Sequence, residues 1–274
     1  MRYRWLIALA LVTATIVVAI TLRDRTPLRS EQCVAEVGKV RAEVDLEQAR
    51  WSALMSAISL RRGLPPRATT IAIATAFQES KIHNIDYGDR DSVGLFQQRP
   101  SQGWGTVEQI SDPLYSIGRF YDALVRIDGY GSLKITDAAQ RVQRSAYPAA
   151  YAQHEASARA LASSLRGFSP AKFTCQINPR GNGTISRVVQ SVEAAFGDVL
   201  VATEGSEASY PLTGRPADVK ARGWAIAHYL VANASHLRIT KISFSNREWS
   251  APASDQGWTS RSGTDSDTVR VSTN

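Results

Sequence analysis

The chain has 274 residues, of which 43% are hydrophobic and 21% charged; this balance supports a folded core and excludes wholesale disorder or a multi-span membrane protein. Lys and Arg number 32 against 25 Asp and Glu, a net charge of +7, yet five arginines and a single aspartate fall within residues 1–30, so the remainder is nearly neutral. A nucleic-acid partner needs basic side chains concentrated on the folded part and is thereby excluded.

Trp5 to Leu22 is a run of 18 residues without a charge, long enough to span a bilayer core. The sequence therefore predicts a single N-terminal transmembrane helix within residues 1–25, with a cleaved signal peptide as the alternative. Arg23, Arg25 and Arg29 outnumber Arg2 and Arg4, which taken alone would keep the body cytoplasmic. Cysteine usage argues the opposite. Cys33 and Cys175 are the two cysteines; they lack metal-ligand spacing, and a disulfide between them would place the body in an oxidising, extracytoplasmic compartment. Two unrelated buried thiols are the other reading. The expected location is the cell membrane, single-pass, with the body outside.

Residues 26–45 read as a polar linker. Apolar residues then recur at helical spacing over Leu46–Arg62, Gly63-Leu64-Pro65-Pro66 breaks the pattern, and Arg67–Lys81 is apolar almost all round, as a buried central helix is. A polar loop rich in Asp and Gly follows, then helical patterns over 113–127, 136–145 and 149–166. No strand-like alternation of useful length stands out, so residues 46–175 are expected to form a mainly α domain. Turn clusters mark a boundary near 176–184. Beyond it, residues 184–274 combine helical patterns over Ser186–Phe196 and Gly223–Leu237 with strand-like alternation over Ile239–Phe244 and Thr268–Thr273, predicting a small α+β domain.

Chemistry concentrates at Glu79-Ser80 and at Gly94-Leu95-Phe96-Gln97, with Gly94 fifteen residues and Pro100 twenty-one residues beyond the glutamate. A carboxyl at the end of an apolar helix is partly desolvated, which raises its pKa and suits it to general acid catalysis. This spacing resembles the first two motifs of the soluble lytic transglycosylases and goose-type lysozyme-like domains. The resemblance implies a lysozyme-like helical domain that needs no cofactor or metal and cleaves the β-1,4 glycan strands of peptidoglycan. Glu79 would be its catalytic residue, and Ser80, Gly94, Leu95, Phe96, Gln97, Tyr147 and Tyr151 its substrate contacts. An Ala-Tyr-Asn element of that family is approximated by Ala146-Tyr147-Pro148, without the Asn. The C-terminal region resembles a domain of secreted actinobacterial proteins that ends in Asp-His-Val-His-Val; here Thr268 and Arg270 stand at the two His positions.

Asp86, Asp89 and Asp91 offer a second carboxylate for a hydrolase or, more simply, turn chemistry around Gly88. His83, His154 and His228 read as structural, and the sequons at Asn182 and Asn233 as chance matches. The rival to an enzyme is a non-catalytic glycan-binding scaffold in wall assembly or secretion, and no protein partner can be named.

Overall fold

The computed structural model describes residues 30–143, 148–178, 181–263 and 265–274. The first surprise is the expected linker. Its alternating stretch folds as β1 (Gln32–Val37) and β2 (Val40–Val44), paired antiparallel with Val37 opposite Val40. Gly38, at a φ of 61°, supplies the left-handed residue that a two-residue hairpin loop requires. Asp45 then caps α1 (Leu46–Arg61) with a reciprocal capping box to Gln48, and Pro66 opens α2 (Pro66–Ser80) at the first helical position. Around α2 lie α3 (Val107–Ser111), α4 (Pro113–Leu124), α5 (Ile135–Gln143) and α6 (Glu155–Leu165), the last preceded by a 3-10 turn over Pro148–His154. Strand β3 (Phe173–Gln176) returns to pair with the far side of β1, giving a three-stranded sheet in the order β2-β1-β3.

After α7 (Ile185–Phe196) come β4 (Ala202–Glu204), β5 (Glu207–Pro211), α8 (Pro216–Ala232), α9 (Ala234–Leu237), β6 (Lys241–Phe244), β7 (Arg247–Ser250), β8 (Thr259–Ser260) and β9 (Thr268–Ser272). The strands form a six-stranded antiparallel sheet in the order β4-β5-β9-β6-β7-β8. Helix α8 lies between this sheet and α1 and α6, so Gly223 to Ala232 are all buried. Two glycines permit that seam. A Cβ on Gly223 would enter the Phe244 ring, and one on Gly167, which also has a φ of 77°, would meet the Ala221 backbone carbonyl.

Cys33 and Cys175 face each other in the β1–β3 register and are joined by a disulfide. The free edge of β3 is covered by the C-terminal part: the Trp249 indole donates to the Cys175 carbonyl and the Trp258 indole to the Phe173 carbonyl. One hydrophobic core runs through both halves, and residues 31–274 form one compact unit by their contacts.

The expected fold, a mainly α lysozyme-like domain followed by a small α+β domain with a single transmembrane helix, is corrected on these grounds. About half of the described residues are helical, two antiparallel sheets are present, and one of them is built from the N-terminal hairpin and β3. Among the described residues no helix is long and apolar enough to cross a membrane; the expected span over residues 5–22 lies outside them.

Candidate functional site

Glu79 occupies the last turn of α2, where a central helix reaches the surface. The helix is apolar because α1, α4, α5 and α6 all pack on it; at its end the carboxyl is half-buried. The Tyr151 hydroxyl, itself fully buried, donates to Glu79 Oε1 at 2.7 Å. Burial pushes the Glu79 carboxyl above the ordinary glutamate value, and the hydrogen bonds from Tyr151 and from the Gln143 amide offset only part of that rise. Among the described residues no second carboxylate takes part in the shift.

The neighbouring segment is held by backbone contacts. Ser80 Oγ donates to the Leu95 carbonyl at 2.8 Å, and Gln143 Nε2 donates to the Phe96 carbonyl at 2.7 Å, so both ends of the Glu79 corner grip one strand of loop. Gly94 has a φ of 79°, and a Cβ there would lie 2.9 Å from the Ile110 carbonyl, so only glycine fits without a shift. The Leu95 and Phe96 side chains point into the core, with Phe96 stacked on Phe120 at 4.3 Å between ring centroids. Gln97 turns back to donate to the Tyr87 carbonyl at 3.2 Å and occupies the space a Cβ on Gly88 would need. The structure thus brings Glu79, Ser80, Tyr151 and the Leu95–Phe96 backbone together. It places the Leu95, Phe96 and Gln97 side chains in packing and loop-clamping positions. Tyr147 lies outside the described residues.

Gln143 escaped the sequence reading. Its place opposite Glu79 depends on how α5 packs across α2, and a glutamine at a helix end carries no local signal of that. Its importance is topographic, because it also lines a cleft of about 680 Å³ whose walls include Trp104, Arg119, Asp122, Arg126 and Arg141. That volume lies within the range of small-molecule sites. The arginines exceed the acids there, so the cleft favours anionic or richly hydroxylated ligands.

The loop aspartates separate into two kinds. Asp91 accepts from the Ser101 backbone N–H at 2.8 Å and from Arg99 Nε at 2.7 Å; the Ser101 hydroxyl and N–H, followed by Arg99, hold its carboxyl well below the usual range. It organises the loop. Asp86 and Asp89 are exposed. His83 bonds Asp45 at 2.9 Å, His154 stacks on Phe77, and His228 is a fully buried core residue. Among the described residues no group of three His, Cys, Asp or Glu is arranged to hold a metal. Asn233 is buried and donates to the Tyr229 carbonyl, so its sequon is not open to a glycan. In β9, Arg270 bonds Asp265 at 2.6 Å and Ser209 at 3.1 Å.

Comparison with known families touches the other half of the molecule. The model of the VldE C-terminal domain family matches residues 177–271. The match spans about a third of the chain, from the end of β3 through α7, α8 and most of the six-stranded sheet, and leaves the Glu79 corner outside it. No curated protein matches the chain.

Proposed function

We propose that the protein cleaves peptidoglycan glycan strands, with Glu79 as general acid and then base. The observation that carries this reading is a half-buried carboxyl with a raised pKa, held by a phenol at 2.7 Å and by the Gln143 amide that leads into the neighbouring cleft. Protonated Glu79 gives its proton to the glycosidic oxygen as the C1–O bond breaks. The resulting carboxylate, stabilised by the Tyr151 hydroxyl, then takes the proton of the muramyl 6-hydroxyl as that oxygen bonds to C1, which closes a 1,6-anhydro ring without water. Among the described residues no second carboxylate contributes to the Glu79 shift, which favours this route over the two-acid hydrolysis, in which a partner stands at a set distance. The Cys33–Cys175 bond supports an extracytoplasmic setting for the body.

The test is incubation of the purified protein with peptidoglycan and identification of the released ends by mass spectrometry. Anhydro ends are expected, and Glu79→Gln, which keeps the acceptor for Tyr151, is expected to lower the rate by about 10² to 10⁴. Reducing ends that depend on Asp86 or Asp89 would instead mean hydrolysis. No cleavage by the unmodified protein, with glycan binding retained, would leave the glycan-binding scaffold as the reading.

A further inference from the structure

A second cavity, of about 350 Å³, lies on the seam where α1 and the start of α4 meet α7, the end of α8 and α9. It shares no lining residue with the cleft beside Gln143. Its apolar wall is made by Trp51, Leu54 and Leu114, and its polar wall by Arg50, Arg187 and His236. Cations gathered in this way are normally neutralised by carboxylates. Here the nearby acids form no ion pair with these cations: Glu47, whose charge attracts Arg50 at longer range, accepts from the Trp51 indole at 2.9 Å and from the Asn84 N–H at 3.1 Å, and Asp112 caps α4 by accepting from the Leu114 N–H at 2.9 Å. Neither Arg50 nor Arg187 has an ion pair among the described residues; Arg50 lies over the Trp51 ring at 4.3 Å, a stacking that leaves the in-plane N–H donors of its guanidinium free.

The groups also feel one another. Burial depresses the Arg50 pKa, offset in part by Tyr229 and Glu47 and reinforced slightly by Arg187, and burial followed by Arg50 and Arg187 depresses that of His236. Tyr229, at the back of the cavity, is bonded to Ser191 at 2.8 Å and adds no charge. Converging, unpaired donors beside an apolar wall, in a space at the small end of the usual range for ligand pockets of roughly 300–1,000 Å³, match a ligand with an anionic head and a compact apolar body.

We propose that this cavity binds a small organic anion, a carboxylate or a phosphate monoester, with its charge on Arg50 and Arg187 and its apolar body against Trp51, Leu54 and Leu114. Because both halves of the chain line the cavity, such a ligand would bridge them, and its binding would raise the unfolding temperature.

The experiment is titration of the whole protein with phenyl phosphate, phenylacetate, inorganic phosphate and neutral benzyl alcohol, read by Trp fluorescence and by thermal shift. Saturable binding of at least one aryl anion is expected, roughly tenfold or more tighter than that of inorganic phosphate or the alcohol. If both aryl anions bind, their relative affinity tells the phosphate source from the carboxylate source. Arg50→Gln and Arg187→Gln should each weaken binding by about tenfold or more. Arg50 makes no ion pair among the described residues and burial disfavours its charge overall, so Arg50→Gln should leave the ligand-free unfolding midpoint unchanged or higher, which separates lost binding from lost fold. The proposal is overturned if neither aryl anion saturates by about 10 mM, if benzyl alcohol binds as well as the anions, or if both arginine variants retain full affinity.

Discussion

Two helical stretches, α2 and Gly223–Ala232 of α8, are apolar on nearly every side, and each carries a residue, Glu79 and His228, that burial drives toward its neutral form. The environments of Glu79 and His228 then diverge. His228 sits in mid-helix, fully buried among Trp224, Trp258 and Phe173, with Nδ1 bonded to the Ser164 carbonyl at 2.7 Å and its pKa lowered to about 4. Glu79 sits in the last turn, half-buried, with two donors that stabilise its charged form without cancelling the desolvation. Desolvation alone therefore does not mark a working site. The difference lies in access: Glu79 is half-buried at a helix end, whereas His228 is sealed in the core.

The largest expected stability effect concerns the frame that both residues share. Replacing Cys33 and Cys175 together by Ala should lower the unfolding free energy by about 5 kcal/mol in the chain-entropy account, given a sequence separation of 142. Denaturant melts read at both ends of the molecule should shift together. Separate transitions would show that the halves are less coupled than their common core implies.

His228 sets the next effect. With a folded pKa of about 4 against an ordinary 6.5, the unfolded chain binds more protons across that interval, so stability is complete above pH 6.5 and falls as the pH drops toward 4. The loss is about 3 kcal/mol. His228→Asn keeps a donor for the Ser164 carbonyl and should flatten this acid limb; an unchanged limb would assign it to other groups.

At the seam, Gly167→Ala should cost about 1–3 kcal/mol through its positive φ and the Ala221 carbonyl. Gly118→Ala, in α4 with open space around it, should instead stabilise by about 0.5–1 kcal/mol; thermal melts compare the two directly.

The remaining effect, at Glu79 itself, is that of Tyr151→Phe. It removes a donor that favours the Glu79 carboxylate, so the alkaline limb of cleavage should move to higher pH while the maximal rate falls by about tenfold.

Much of the helical framework was legible, because the apolar spacing over 46–62 and 67–81 and the Gly-Leu-Pro-Pro break are strong local signals. The N-terminal hairpin was passed over although Cys33, Ala35, Ala42 and Val44 alternate around Gly38, since charged residues between them suggested a linker. Strands β4, β5 and β7 are only three to five residues long, too short for alternation to stand out, even though β4–β5 and β6–β7 are local hairpins; of their pairings only β5–β9 joins segments remote in sequence. The shared core was hidden for a related reason: the turn-rich stretch after Cys175 looks like a linker, while the contacts across it, Gly167 on Ala221 and Trp258 on Phe173, are tertiary. At the site, Glu79 and Ser80 could be named from a motif spacing that resembles a known family, and Tyr151 only as a tyrosine near its approximated third element. Leu95 and Phe96 belong to the same motif but meet it through their backbone, and sequence does not tell a side-chain contact from a carbonyl contact.

The most direct test of the central claim is a carboxyl-carbon NMR titration of Glu79 in the whole protein, assigned by the resonance lost in Glu79→Gln. The account predicts a midpoint above the ordinary glutamate value, moving higher still in Tyr151→Phe. A midpoint at or below the ordinary value would contradict the claim that burial makes this carboxyl hold its proton more tightly than an ordinary glutamate.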